Sequence, residues 1–227
     1  MDKNFKEVKD LLDTCDNIIL TTHVVPDGDA IGSVIALNEF LKLKGKSPFI
    51  INHSKTPHNL KFLDVNNEIK VFSENENENS KLIDEADVIV LLDTNEFSRT
   101  RSMEPFIIKS NAKKICIDHH TGLKPESYSA YISNTEYPSN CSILYDYMRY
   151  DNEKLITKEV ASALYIGIMT DTGSFRYPRT DENVFIMFAD LIVKGADPVS
   201  LYEHVYATTT MDNLKLSAKA RVVEHFD

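Results

Sequence analysis

Residues 17–23 read NIILTTH, and the chain continues VVPDGDAIGSVIALNEFLKLKGKSPFIIN to Asn52. The first run is short, apolar and β-branched, which suits a strand buried on both faces of a parallel sheet. Over 29–44 the spacing of Ile31, Val34, Ile35, Asn38 and Leu41 is helical, with Asp29 expected as the cap and Lys42, Lys44 and Gly45 suited to the end. Residues 47–52 (SPFIIN) return to a strand pattern. Strand, helix, strand is a βαβ unit, and its first turn carries His23, Asp27 and Asp29.

The same pattern recurs downstream. DVIVLLD (87–93) and KKICIDH (113–119) are apolar runs ending in polar residues, and 130–133 reads as a further short strand. The tract ENENEN (74–79) lacks an apolar face and is expected to be an exposed loop or the ragged start of a helix, the solvated connector being favoured. Residues 141–150, 158–170 and 182–194 carry apolar residues three and four apart, as amphipathic helices do. Gly173 suits the end of the second, and Asp197-Pro198 is a cap and first-turn pair for a helical tail. The fold class expected is α/β: a Rossmann-like parallel sheet flanked by helices, forming one domain over 1–195, with a C-terminal helical connector over 196–227.

Composition narrows the function. With 42% hydrophobic and 26% charged residues and no apolar run near the length of a membrane span, no membrane partner is expected, and the polar amino terminus points to a cytoplasmic protein. Three cysteines without paired spacing suggest neither a disulfide framework nor a thiolate metal site. A net charge of −10 argues against binding long duplex nucleic acid, which needs clustered Lys and Arg. A small phosphorylated substrate stays open, because two divalent ions would make an acidic cleft locally attractive to phosphate.

Four segments carry the candidate chemistry: His23 with Asp27-Gly28-Asp29, then Asp93, then Asp118-His119-His120, then Asp171-Thr172-Gly173. An Asp-Gly-Asp tripeptide alone is ordinary turn material. Asp93 alone could open a loop, and Asp171 alone could be the polar last residue of a helix. Two adjacent histidines after a strand are less common, and ligands gather at the carboxyl ends of parallel strands. Taken together the segments hold enough oxygen and nitrogen donors for two divalent ions, with Asp93 suited to bridge them. His53, His58, His204 and His225 are expected to be structural.

These motifs, with Phe175-Arg176-Tyr177 after the last, resemble in order the four motifs of the DHH phosphoesterase family, over roughly residues 17–177. Asp27–Ser33 (DGDAIGS) and the TDTGSFR run are most similar to its bacterial nanoRNase and phosphoadenosine-phosphate phosphatase branch. The resemblance implies hydrolysis of short oligoribonucleotides, linear dinucleotides or 3′-phosphoadenosine 5′-phosphate, with two divalent ions, Mn2+ by analogy. It implies one ion on His23, Asp27 and Asp93 and the other on Asp29, Asp93, His119 and Asp171. His120 would face the scissile phosphate, and Asp118 would steady the histidine pair. Arg99, Arg101 and Arg176 are candidate phosphate contacts, and a homodimer is a candidate assembly.

The chain departs from that branch in one respect: no glycine-rich substrate domain follows, Gly195 being the last glycine, so the C-terminal domain is expected to be absent. A manganese inorganic pyrophosphatase is the alternative enzyme, for whose basic tail KLSAKAR (215–221) is a faint echo. A non-enzymatic nucleotide-binding module is the other alternative. It predicts missing ligands, and every ligand position is filled.

Overall fold

Strands that are apolar on both faces need cover from both sides, and the computed structural model, which describes residues 2–207, supplies it. Six strands, β1 (Ile18–Thr21), β2 (Phe49–Asn52), β3 (Ile69–Val71), β4 (Val88–Leu92), β5 (Lys113–Asp118) and β6 (Ala130–Ser133), form one sheet in the order β3-β2-β1-β4-β5-β6. All neighbours run parallel. The fold is therefore the expected doubly wound α/β sheet. From β1 the chain winds outward through β2 and β3, then returns to β4 and winds the other way, leaving a crevice between the carboxyl ends of β1 and β4.

Alternate side chains of each strand enter two separate cores. Ile18, Leu20, Val88, Val90, Ile115 and Ile117 face the larger one, against α1 (Asp2–Thr14), α2 (Gly28–Leu43), α5 (Asn140–Asn152), α6 (Lys158–Asp171), α7 (Glu182–Val193) and α8 (Pro198–Tyr206). Ile19, Ile51, Ile89 and Leu91 face the smaller, with residues of α3 (Glu76–Asp84) and α4 (Glu104–Lys109). No helix among the described residues is long and apolar enough to cross a membrane. Cys15, Cys116 and Cys141 are free and buried.

Two local expectations are corrected. The acidic tract is more than a solvated connector: residues 74–78 are exposed as expected, but α3 starts at Glu76, and Asn79 is 1% exposed because its amide donates to the carbonyls of Val71 and Phe72 at 3.2 and 3.1 Å. That bond is tertiary and leaves no trace in composition. The cap of α2 is Asp27 rather than Asp29; its Oδ1 accepts from the N–H groups of Asp29 and Ala30, both at 3.1 Å. Strand β3, α4 and the 3-10 segment Phe97–Met103 were not signalled by the sequence pattern. Of the expected connector, α8 is present, while residues 208–227, including the KLSAKAR run and His225, lie outside the described residues.

Helix α2 lies between the sheet and α6 and is buried almost all round. Glycines set how closely α2 and α6 approach. A Cβ on Gly32 would stand 2.6 Å from the Ala163 carbonyl oxygen, and one on Gly28 would stand 2.4 Å from Thr170 Oγ1. The N-terminus of α2 is thereby held against the C-terminus of α6. Gly32→Ala gains about 1 kcal/mol of helix propensity but forces backbone apart, so a net loss of roughly 1–3 kcal/mol is expected. Urea unfolding checks this, and a variant as stable as the parent would show that the contact can open without cost.

Candidate two-metal centre

The turn after β1 places His23 at the crevice. Its Nδ1 lies 2.8 Å from the Val24 carbonyl oxygen, which can only accept, so the proton sits on Nδ1 and the Nε2 lone pair is free. Nε2 is 3.9 Å from Asp27 Oδ2 and 3.4 Å from Asp93 Oδ2. Asp27 thus caps α2 with one oxygen and turns the other toward His23.

Asp29, in the first turn of α2, is fully buried. Its Oδ2 accepts the Asn140 N–H at 2.5 Å and its Oδ1 the Cys141 N–H at 2.8 Å. These are the first amides of α5, a helix closed by reciprocal bonds between Ser139 and Ser142. Such amides have no partner within their helix and lie at the positive end of its dipole, a favourable setting for a carboxylate.

Asp93 follows β4 with φ of +59°, a backbone region costly for a non-glycine residue. That twist, held by the Asp93 N–H donating to Ile117 O at 3.0 Å, sets its carboxylate between two histidines. Oδ1 is 3.4 Å from His119 Nε2, while Oδ2 faces His23. His119 Nε2 also lies 3.3 Å from Asp171 Oδ2 and 3.8 Å from Asp29 Oδ2.

Asp118 stands behind this group. Its Oδ1 is 2.8 Å from His120 Nδ1 and its Oδ2 accepts from Asn95 Nδ2 at 2.6 Å, so both oxygens are engaged away from the crevice. Asn95 also donates to the carbonyls of His120 and Thr121, tying the Asp118–Thr121 turn down.

Without a cation the site is electrostatically unfavourable. Burial, then the charges of Asp93 and Asp171, push Asp29 well above the ordinary carboxylate range. Burial and the Asp93 charge raise Asp171 to about 6. Burial alone would lower His119, but the facing Asp93 carboxylate and the charges of Asp29, Asp93 and Asp171 outweigh that and push it up to about 9. Asp93 itself is held low despite its burial, because His119 and His23 stand against its two oxygens. Asp93 Oδ1 and His119 Nε2 are buried without a hydrogen-bond partner.

The donor set fits metal ions. His23, Asp27 and Asp93 form one triple, Asp29, His119 and Asp171 a second, and Asp93, His119 and His120 a third, with ligand atoms in each within 4.8 Å of one another. Donors sharing an ion at about 2.1 Å stand roughly 3.0–3.4 Å apart, which is the spacing of Asp93 and Asp171 from His119.

The arginines are placed differently from the carboxylates and histidines. Arg176 is exposed, and its Nε is tied to its own turn at Gly173 O, 2.7 Å away. Arg99 contributes a backbone carbonyl that accepts from Val24, and Arg101 has a left-handed backbone at φ +54°. Among the other histidines, His53 meets Ser102 Oγ at 2.9 Å, and His204 meets Ser200 O at 2.7 Å and stacks on Phe62. Sequence reasoning passed over Asn95, the α5 amides and Arg179. A Ser before an apolar helix signals a cap, but nothing local says which anion that helix end will meet.

Comparison with known proteins follows the same lines. The model of the DHH family, N-terminal domain, matches residues 17–168. The bifunctional oligoribonuclease and PAP phosphatase NrnA of Thermus thermophilus is 29% identical over 190 residues, 83% of this chain and 53% of that protein. The protein of the same name from Bacillus subtilis is 30% identical over 196 residues, 85% of this chain and 58% of that protein. An exopolyphosphatase-related protein from Bacteroides fragilis superposes with a TM-score of 0.92 at 31% identity, covering 96% of this chain and 64% of that one. The chain thus spans a little over half the length of these two curated relatives. A putative family II inorganic pyrophosphatase from Methanococcus jannaschii, at 19% identity and a TM-score of 0.60, shares the fold.

If the cluster binds divalent cations, Mn2+ at about 100 times its dissociation constant should stabilise the protein by about 2.7 kcal/mol, a Tm rise of roughly 5–10 °C for a chain of this size. Asp93→Asn should lose most of that rise. Calorimetry with and without Mn2+ checks both, and an equal rise in the variant would remove Asp93 from the cation site.

Proposed function

This chain belongs to the DHH family, and on that premise we propose that it is a two-metal phosphoesterase acting on short oligoribonucleotides, linear dinucleotides or 3′-phosphoadenosine 5′-phosphate. The observation that carries the reading is the Asp93 carboxylate, buried between His23 and His119 with each oxygen facing a different histidine. The substrate class rests on the names of the NrnA relatives, which are oligoribonucleases and PAP phosphatases.

His23, Asp27 and Asp93 would hold one ion, and Asp29, Asp93, His119 and Asp171 the other, Mn2+ being the proposed metal. When bound, such a pair supplies Lewis acidity toward a phosphoryl oxygen and an acidified water as nucleophile. The chain's own residues do the remainder. The α5 amides favour the charged form of Asp29 and fix its direction. Asp118 accepts the Nδ1–H of His120, which fixes the ring and leaves its Nε2 for a phosphoryl or leaving-group oxygen. With several carboxylates lining the crevice, phosphate binding depends on prior cation binding.

The test is a hydrolysis panel with Mn2+ on the full-length protein: a dinucleotide, five-residue RNA, 3′-phosphoadenosine 5′-phosphate and pyrophosphate. Nucleotide release is expected, and turnover of pyrophosphate alone would replace this reading with the pyrophosphatase. Asp93→Asn should lower kcat/KM by about 1000-fold or more, since loss of charge stabilisation and nucleophile together is worth several kcal/mol. Asp118→Asn should cost only about 10–100-fold, the usual range for a residue acting through its neighbour. Near-normal turnover by Asp93→Asn would sink the mechanism.

A further inference from the structure

Beside the proposed metal cluster lies a cavity of about 380 Å³, lined by His119 and Asp171 together with Tyr177, Arg179 and Thr180. Its size falls at the small end of ligand pockets, about 300–1000 Å³, enough for a single nucleotide. Arg179 Nη1 lies 3.5 Å from the Tyr137 carbonyl oxygen, and the same oxygen lies 3.4 Å from His119 Nδ1. One backbone carbonyl therefore joins the guanidinium to a candidate metal ligand.

Arg179 makes no ion pair among the described residues, although the chain carries a net charge of −10. Thr180 Oγ1, on the same wall, is buried without a hydrogen-bond partner. A cation without a counter-charge and a hydroxyl without a partner share one cavity. Their segment is pinned at both ends. Gly173, Ser174 and Phe175 are all left-handed, and the N–H groups of Arg176 and Tyr177 both return to Thr172 O, at 2.9 and 3.1 Å. At the far end Asp181 caps α7 by accepting from Val184 N at 3.1 Å. Tyr177 packs over Gly173, where a Cβ would stand 2.7 Å from its ring. Arg176, by contrast, does not line the cavity, and its Nε donates to Gly173 O in its own turn.

We propose that Arg179 reads a second, non-reacting phosphate of the substrate, so that this site prefers nucleotides carrying two phosphate groups over those carrying one. The inference rests on the phosphoesterase reading, which puts the scissile phosphate at the His119 and Asp171 side of the cavity. A nucleoside then fills the cavity, and its other phosphate meets the guanidinium, whose planar fork matches two phosphate oxygens. Thr180 Oγ1 adds a neutral donor.

Equilibrium binding of 3′-phosphoadenosine 5′-phosphate and of AMP to the full-length protein, with Ca2+ replacing Mn2+ to suppress turnover, tests this directly. Arg179→Ala should weaken the bisphosphate by about tenfold or more while changing AMP by less than about threefold, and Arg179→Lys should fall between. Arg176→Ala should change neither. Equal weakening of both ligands by Arg179→Ala, or no weakening, overturns the proposal. Hydrolysis with Mn2+ is read separately: a protein that shows the Arg179-dependent preference but cleaves no nucleotide refutes the phosphoesterase reading and leaves the role of Arg179 standing.

Discussion

Mutual repulsion among buried carboxylates is the constraint around which this molecule is organised. Asp29 and Asp93 are almost completely buried, and Asp27 and Asp171 stand at the edge of the same crevice. Bringing such groups together costs several kcal/mol per uncompensated charge. No lysine or arginine pairs with any of them among the described residues; their near neighbours are His23 and His119. The scaffold opposes the repulsion with oriented amides, with histidines raised by the carboxylates around them, and with a geometry that leaves donor atoms facing inward without partners.

The doubly wound sheet is suited to that task. Its switch point opens a crevice at the carboxyl ends of β1 and β4, and β5 beside β4 adds the histidine pair. The helical layer completes the cluster by close contact. Gly28 and Gly32 let α2 approach α6, and Gly167 leaves room for Asp29 Oδ1 and Cys141 Sγ, which a Cβ there would meet at 2.7 and 2.2 Å. A wider helix pair would move Asp171 away from Asp29 and His119. Core packing and site geometry are thus the same interaction seen from two ends.

Rigid support also separates the residues that face the crevice from those that hold them in place. Asn95 holds Asp118, Asp118 holds His120, and the α5 amides hold Asp29. Each link limits the rotamers of the group ahead of it, so that order at the crevice is imposed from behind rather than acquired on binding.

Much of this was legible in the residues. β1 and β4 are buried on both faces and read as apolar runs, β5 carries the buried apolar segment Ile115–Ile117 after two lysines, and the polar residues that end all three fall at the carboxyl edge by the direction of the chain. β3 was not legible, because an edge strand of three half-buried residues carries too little pattern. Asp27 and Asp29 show the limit most clearly. Both are visible as carboxylates on one turn, but only the packed structure decides that Asp27 caps α2 while Asp29 receives the amides of α5, more than 100 residues away. The same holds for Arg179, whose position beside His119 follows from a turn pinned through Thr172. Periodicity and residue type are local properties and determine which elements form and which donors they carry. The direction of each donor depends on contacts between elements distant in the chain, and those exist only once the sheet and its helices have packed.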